Sequence, residues 1–523
     1  MKSNKNSDSI SANAMAATSH PLATEEALNV LKKGGNAVDA AIAASICLSV
    51  VEPNSTGIGG DCFAIVKMEN KNPISYNGSG IAPKKANFEF FESKNIDKIE
   101  LTTPHSVTIP GALDAWKTIH DEHGKLDFEE LFLNSINYAE NGYKVTKKVS
   151  EAWEKSFKKL NSHKITKNLY LKHGKVYKNN ELRKNIPLAN TLKLIKKNGI
   201  KEFYQGSIAE DMVESLNEIG GLHSIEDFSI QKTLRSKTIS SNLKDMTVHQ
   251  CPPNGPGVTV LLMLKLLEKL KINKFNPDSV ERFHLEAEVT KLCYKIREEN
   301  IADPNYISID LEKILSEQNI QELFDNISLN KCYKINDLKI PNHPETVYLT
   351  VVDKDLNSVS IINSICYSFG SGITSNKSGI LFHNRGTNFR VERNHPNCIE
   401  GGKRPLHTII PGLALNNDNK TVLSFGVMGG QYQPVGQVHV FNNIFDFNMT
   451  PQEAISYPRA FHFNNIYKLE REISEDIKSK LETIGHKVEF TNDPHGGGQA
   501  IQIDRKKGKL IGGIPGVAPA KVI

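Results

Sequence analysis

The chain has 523 residues, 39% apolar and 24% charged, with 36 Gly and 23 Pro, a balance that excludes collagenous and broadly disordered classes. Its 64 basic and 59 acidic side chains leave a net charge of +5, and the longest basic run, RKKGK at residues 505–509, sits in a turn, so nucleic acid is not an expected partner. Length alone suggests about two to four domains, and seven scattered cysteines without CxxC spacing argue against a disulfide framework or zinc site and for a reducing compartment.

In chain order, residues 1–12 read as a disordered N-terminus. The start is basic but lacks the apolar stretch of a secretory signal, and no window approaches a membrane span, so the expected location is cytoplasmic, with no membrane partner. HPLATEEALNVLKKGGNAVDAAIAASICLSVVEP then reads as two helices broken at Gly34-Gly35, the second a small-residue helix suited to close packing. In NSTGIGGDCFAIVKM a glycine-rich turn enters a strand, the reverse of the strand-loop-helix order that a dinucleotide fingerprint needs.

Residues 126–329 read as mainly helical, from LDFEELFLNSINYAENG to SVERFHLEAEVTKLCYKIREEN, interrupted by the rigid loop CPPNGPG at 251–257. From Val347 the period switches to two, with strands expected around Thr350, Val359, 379–382, 422–426 and 500–503 and a helix near 436–444. Helical text followed by strand-rich text indicates a layered α/β arrangement. No phosphate loop, metal motif or cofactor box emerges, so no cofactor is expected.

The segment VYLTVVDKDLNSVSIINS alternates on both sides of a polar turn at 353–357. Val352 then faces Ser358, facing numbers sum to 710, and Thr346 falls opposite Ser364. Two hydroxyls meet at the head of a strand. If the chain is cut before Thr346, that residue carries a nucleophile and, in its α-amine of pKa about 7.7–8.0, a base. Self-cleavage supplies the cut: Thr346 Oγ1 attacks the Glu345 carbonyl, the amide becomes an ester, and water releases chains of 345 and 178 (523 − 345) residues. Pro344 keeps His343 extended beside that bond.

From about Ser11 to about Gly513 the sequence resembles the γ-glutamyltranspeptidase family of N-terminal nucleophile hydrolases. The resemblance rests on GGNAVDAAIAA, EPNSTGIGGDCF, SVTIPGALDAW, FYQGSIAEDM, GGLHSIEDF, PPNGPG, TVYLTVVDKD, FGSGI, GKRPLHTIIP and VMGGQ. It implies a four-layer αββα sandwich, self-processing into a large chain (13–345) and a small chain (346–523) intertwined in one domain, and acyl transfer from an amide to water or an amine. Thr346 falls on the family's nucleophile and Ser364 on the hydroxyl that hydrogen-bonds it. Gly429 and Gly430 fall on the glycine pair whose N–H groups form the oxyanion hole, a task for which a side-chain-free backbone is suited. The implied assembly is a heterodimer of the two cleaved chains, with a further dimer of that pair left open.

The departures bear on the substrate. Ser79 stands where the family holds the γ-glutamyl carboxylate with arginine, and the neutral Asn388 stands where an aspartate holds the α-amine. His407 and Thr408 replace a serine pair, and Arg385 replaces a glutamine. An α-ammonium without a carboxylate partner loses several kcal/mol on desolvation, so a small anionic amide such as oxamate is expected. HNRGTNF, GKRPLHTIIP and MGGQYQPVGQVHV also resemble the family's oxamate amidohydrolase branch. A γ-glutamyltransferase or glutathione hydrolase with a rebuilt head-group site, and an uncut non-catalytic binding protein, are the alternatives. The ending GGIPGVAP departs from the family's usual one.

Overall fold

The computed structural model describes residues 8–336, 338, 340, 346–514 and 521–522. Strand alternation explains its layers. In the strand Val347–Val352, Val347, Leu349 and Val351 pack into one large apolar cluster together with the helix Ala37–Val51, whose fifteen residues are all buried. Tyr348 on the opposite face packs with Phe63, Ile65, Ile362, Leu413 and Met428 between two sheets. A third cluster joins Val248, Ala414, Leu423 and Phe425 to the helices Gly257–Lys269 and Gln433–Phe445. The order is helices, sheet, sheet, helices, as the αββα expectation requires.

The first sheet runs Lys521–Val522, Met15–Ala17, Val347–Val352, Ser358–Ser364, Asp61–Lys67, Ile74–Gly78 and Leu234–Lys237. The second runs Ser9–Ser11, Lys509–Gly513, Gly497–Asp504, Thr421–Met428, Gly412–Asn416, Met246–Gln250 and Ile239–Leu243. Both sheets therefore mix strands from before and after residue 346, and the length-based division into two to four domains gives way to one interleaved unit. Polar contacts stitch the sheets together: Tyr348 Oη lies 2.8 Å from Ser360 Oγ, Thr350 Oγ1 lies 2.5 Å from Ser424 Oγ, and the Gly412 N–H donates to Ser360 Oγ at 3.1 Å.

Three expectations are corrected. Ser9–Ser11 pairs with the strand Lys509–Gly513 instead of fraying, because that edge offers it a ladder. Residues 234–250 carry three strands inside text read as mainly helical, since alternation over four or five residues is easily lost among longer helical patterns. Residues 379–382 form only a single bridge, Thr374 to Leu381, as the positive φ of Gly379 turns the chain away. Among the described residues no helix is long and apolar enough to cross a membrane. Residues 1–7, the residues His343, Pro344 and Glu345, and the GGIPGVAP ending beyond Ile514 lie outside the described residues.

Candidate active site

The hairpin has the expected register. Val352 faces Ser358, Val347 faces Asn363, and the turn closes with the Asp353 N–H donating to Asn357 O at 3.1 Å. One step beyond the ladder, Thr346 Oγ1 lies 3.4 Å from Ser364 Oγ, both side chains buried. Ser364 is itself paired with Asp61 on the next strand, and Cys62 with Gly78 on the strand after that, which puts Asp61 level with Ser79. Thr346, Ser364, Asp61 and Ser79 thus form one row across the end of the sheet. All four share the face of Tyr348, Ile362 and Phe63, which is the face turned toward the second sheet.

The second sheet contributes the glycine pair. Strand Thr421–Met428 runs into Gly429 (φ 124°) and Gly430 (φ 56°), then into the helix Gln433–Phe445. Both φ values lie where L side chains are rare, which is the reason for glycine here. Among the described residues no backbone carbonyl takes the Gly429 or Gly430 N–H. Gln433, at the start of the helix, donates from Nε2 to Thr346 Oγ1 at 3.4 Å while its Oε1 accepts from the Ile410 N–H at 3.2 Å. That amide ties the glycine turn to the strand head, and the helix N-terminus adds a positive end to the same corner.

Asp61 is the hub on the other side. Its Oδ2 accepts from His383 Nδ1 at 3.1 Å, His407 Nε2 at 3.1 Å and Arg385 Nε at 3.3 Å, and its Oδ1 accepts from the Gly80 N–H at 3.1 Å. Burial by itself would raise this carboxyl; the charge and hydrogen bond of His383, with the hydrogen bond of His407, outweigh it and hold Asp61 well below the usual carboxylate range. His407 is pushed down to about 3, by burial first and then by the Arg385 charge, so the ring is neutral. Its Nδ1 accepts from the Ile409 N–H at 3.4 Å, so both ring nitrogens are engaged within the protein. His407 therefore positions Asp61 and offers no free nitrogen to a ligand.

Arg385 is different. Its side chain is fully buried, Nε is held by Asp61 and Nη1 donates to Thr408 Oγ1 at 3.0 Å, while Nη2 has no partner. Asn388 donates from Nδ2 to Leu406 O at 3.0 Å, leaving its buried Oδ1 unpartnered, and Asn388 and Thr408 line a cavity of about 10 Å³, the size of a single water. Ser79 does not stand free: its Oγ donates to Asn77 Oδ1 at 2.6 Å and accepts from Asn254 Nδ2 at 3.2 Å, and its carbonyl accepts from Arg404 Nε at 3.1 Å.

Two residues that the sequence reading passed over belong to this region. Asp61 was visible only as the residue after GIGG in a quoted motif; its role depends on partners more than 320 residues away in sequence. Arg404, in GKRPLHTIIP, lies against the carbonyl of Ser79. Asn254 of the CPPNGPG loop joins the two, donating to Pro405 O at 2.7 Å and receiving the His407 N–H on its carbonyl at 2.9 Å.

A helix-clad pair of sheets, with a hydroxyl residue at the head of a central strand beside a glycine turn, is the architecture of the N-terminal nucleophile hydrolases, enzymes that hydrolyse or transfer acyl groups at amide bonds. The family model described as Gamma-glutamyltranspeptidase matches residues 23–517, and the chain belongs to that family. It is 32% identical over 510 residues to the glutathione hydrolase-like YwrD proenzyme of Bacillus subtilis, covering 95% of this chain and 96% of that one. It is 28% identical over 499 residues to the oxamate amidohydrolase proenzyme of Klebsiella pneumoniae, covering 93% of each. Among solved structures, the cephalosporin acylase from Bacillus halodurans matches with TM-score 0.92 and 32% identity, covering 100% of this chain and 98% of that chain.

Proposed function

We propose that this protein cleaves itself before Thr346 and then hydrolyses a small amide whose acyl group carries a carboxylate and no neighbouring ammonium, a class that includes oxamate. In this reading the Thr346 α-amine takes the Oγ1 proton as Oγ1 attacks the amide carbonyl. Ser364 and Gln433 orient the hydroxyl, and the Gly429 and Gly430 N–H groups receive the oxyanion. The amine or ammonia leaves with a proton returned from the ammonium, and water releases the acyl-enzyme by the same steps in reverse order.

The observation that carries the choice of substrate is Arg385: a fully buried guanidinium with Nη2 unpartnered, fixed through its other nitrogens. A buried donor of this kind is costly to leave unmade, and a substrate carboxylate satisfies it. The nearby carboxylate of Asp61 does not favour an α-ammonium, because both of its oxygens are already held by protein donors. A specific observation keeps a second reading, γ-glutamyl hydrolysis, in play: the relative at 32% identity is named glutathione hydrolase-like.

The test is a pair of assays on the purified full-length protein. A denaturing gel with N-terminal sequencing should give two bands, the smaller beginning at Thr346; one band only would end the mechanism. Ammonia release from oxamate and other short anionic amides is then compared with cleavage of a γ-glutamyl anilide. Faster turnover of the anilide would reject the anionic-amide reading and support the second.

A further inference from the structure

Away from Thr346, the helix Val280–Asn300 buries a polar cluster that the proposed reaction does not use. Lys291, its side chain 2% exposed, donates from Nζ to Glu288 Oε1 at 2.5 Å and to Tyr333 O at 3.2 Å, and lies 2.7 Å from Cys332 Sγ. A nitrogen donor usually rests about 2.9–3.0 Å from an oxygen acceptor, and sulfur is the larger atom. The Lys291–Cys332 approach is therefore closer than a hydrogen bond to sulfur calls for. It matches the span of one oxygen atom joined by single bonds to nitrogen on one side and sulfur on the other.

The neighbours orient the pair. His284 Nε2 faces the carbonyl of Ser328 at 2.7 Å, so that nitrogen carries the proton and Nδ1 accepts from His486 Nε2 at 2.7 Å. His486 Nδ1 is then an acceptor, 3.7 Å from Cys332 Sγ, and the Tyr333 carbonyl lies 3.6 Å from the same sulfur; with either of them taking the thiol hydrogen, a sulfur lone pair is left for Lys291. His284, Glu288 and His486 also bring one donor atom each within 4.8 Å of one another, the spacing of a metal site. Against that use, the two histidines are spent on each other, and both Glu288 oxygens are taken, by Lys291 and by the Tyr333 N–H at 2.6 Å. An entering cation would also face the Lys291 ammonium.

We propose that Lys291 and Cys332 form a reversible Nζ–O–Sγ cross-link, a redox-sensitive strap that fastens the segment around Cys332 to the helix Val280–Asn300. The oxidant is a peroxide. One peroxide converts the thiol to a sulfenic acid; Lys291 passes one ammonium proton to Glu288 Oε1, and a second peroxide converts the resulting amine to a hydroxylamine, each oxidation releasing water. The hydroxylamine oxygen then attacks the sulfenyl sulfur and a third water leaves, so nitrogen and sulfur together lose four electrons and the two peroxides gain four. Two equivalents of a dithiol reverse the change, returning amine, thiol and one water. The Cys332 N–H also donates to Ile484 O at 3.2 Å, and Ile484 and His486 come from beyond residue 346. The strap therefore stiffens a seam between the two halves of the sequence, independently of how the substrate is chosen.

The full-length protein is treated with hydrogen peroxide, denatured, alkylated and digested. The expected product is a linked peptide pair containing Lys291 and Cys332 that has gained one oxygen and lost two hydrogens, with one alkylated cysteine fewer than the seven of the sequence. Dithiothreitol should restore the seventh, and Cys332→Ser and Lys291→Arg should each abolish the pair. The wild-type melting midpoint should fall on reduction, and that of the well-folded Cys332→Ser variant should not move. Seven alkylated cysteines after peroxide, a Cys332 sulfinic acid beside unmodified Lys291, or a link lacking the oxygen would each overturn the proposal.

Discussion

At the scale of single residues, the charge pair Asp61–Arg385 joins the proposed substrate contact to stability. Under the proposed function, Arg385→Gln removes a charge-assisted contact to the substrate and should raise KM for an anionic amide by the equivalent of about 1.5–3 kcal/mol, with a smaller effect on kcat; steady-state kinetics on oxamate checks this. Asp61→Asn leaves the guanidinium buried without its counter-charge and should cost about 3–5 kcal/mol in unfolding free energy. Adding Arg385→Gln to it should recover part of that loss, a coupling that denaturant titration of the single and double variants reads directly. Because the folded pKa of Asp61 is depressed, the stability it supplies is complete above its unfolded value of about 3.9 and is lost as pH falls toward the folded one. The facing of Thr346 and Ser364 was legible from alternation, since the turn residues fixed the register, whereas the nucleophile role of Thr346 is what the family resemblance implies. Asp61 was not, because a carboxylate after GIGG acquires meaning only from His383, Arg385 and His407, which the chain brings back to it.

At the scale of elements, the glycines on the strand Thr421–Met428 and after it set the fit between sheets and site. A Cβ on Gly426 would lie 2.3 Å from the Tyr348 ring, in the middle of the inter-sheet packing. Gly426→Ala should therefore lose about 1–3 kcal/mol of stability by over-packing, and it should also lower activity, because Tyr348 lies two residues from Thr346 on the same strand face. Thermal melts and assays on one preparation test both. Gly429→Ala acts differently: the strain of φ 124° falls on the turn whose N–H groups receive the oxyanion in the proposed mechanism, so kcat should drop about 10²–10³-fold while the melting midpoint changes little. The helix Gln433–Phe445 and the hairpin were readable from their periodicity. The strands at 234–250 were not, being too short for period two to stand out beside long helices, and they were placed only by pairing with Ile74–Gly78 and Gly412–Asn416.

At the scale of the whole molecule, the density of buried neutral histidines sets the acid limit. Burial is the first cause in each: it pushes His20, His223 and His249 down to about 4, His407 and His462 to about 3 and His486 to about 2. Their unfolded counterparts protonate near 6.5, so below that pH the unfolded state binds protons that the folded state does not. Stability should fall with decreasing pH from about 6.5 to about 4 by roughly 1 kcal/mol per pH unit for each such histidine. Melting midpoints at pH 7.5, 6 and 5 should descend steadily; a flat profile would contradict the assignment. Both sheets take strands from either side of residue 346, so cleavage there should leave the two chains associated until the core unfolds.

What the sequence by itself determined is local or periodic: a layered α/β arrangement, which the family resemblance narrowed to αββα, and the hairpin register with Thr346 facing Ser364, set by side-chain period and turn chemistry. Tertiary structure alone decided which polar groups are spent and which remain available. It engaged both nitrogens of His407, occupied Ser79, neutralised Arg385 with Asp61 and left one guanidinium nitrogen unpaired. The physical reason is that a buried polar group is defined by its partners, and those partners come from segments hundreds of residues apart whose meeting no local pattern encodes.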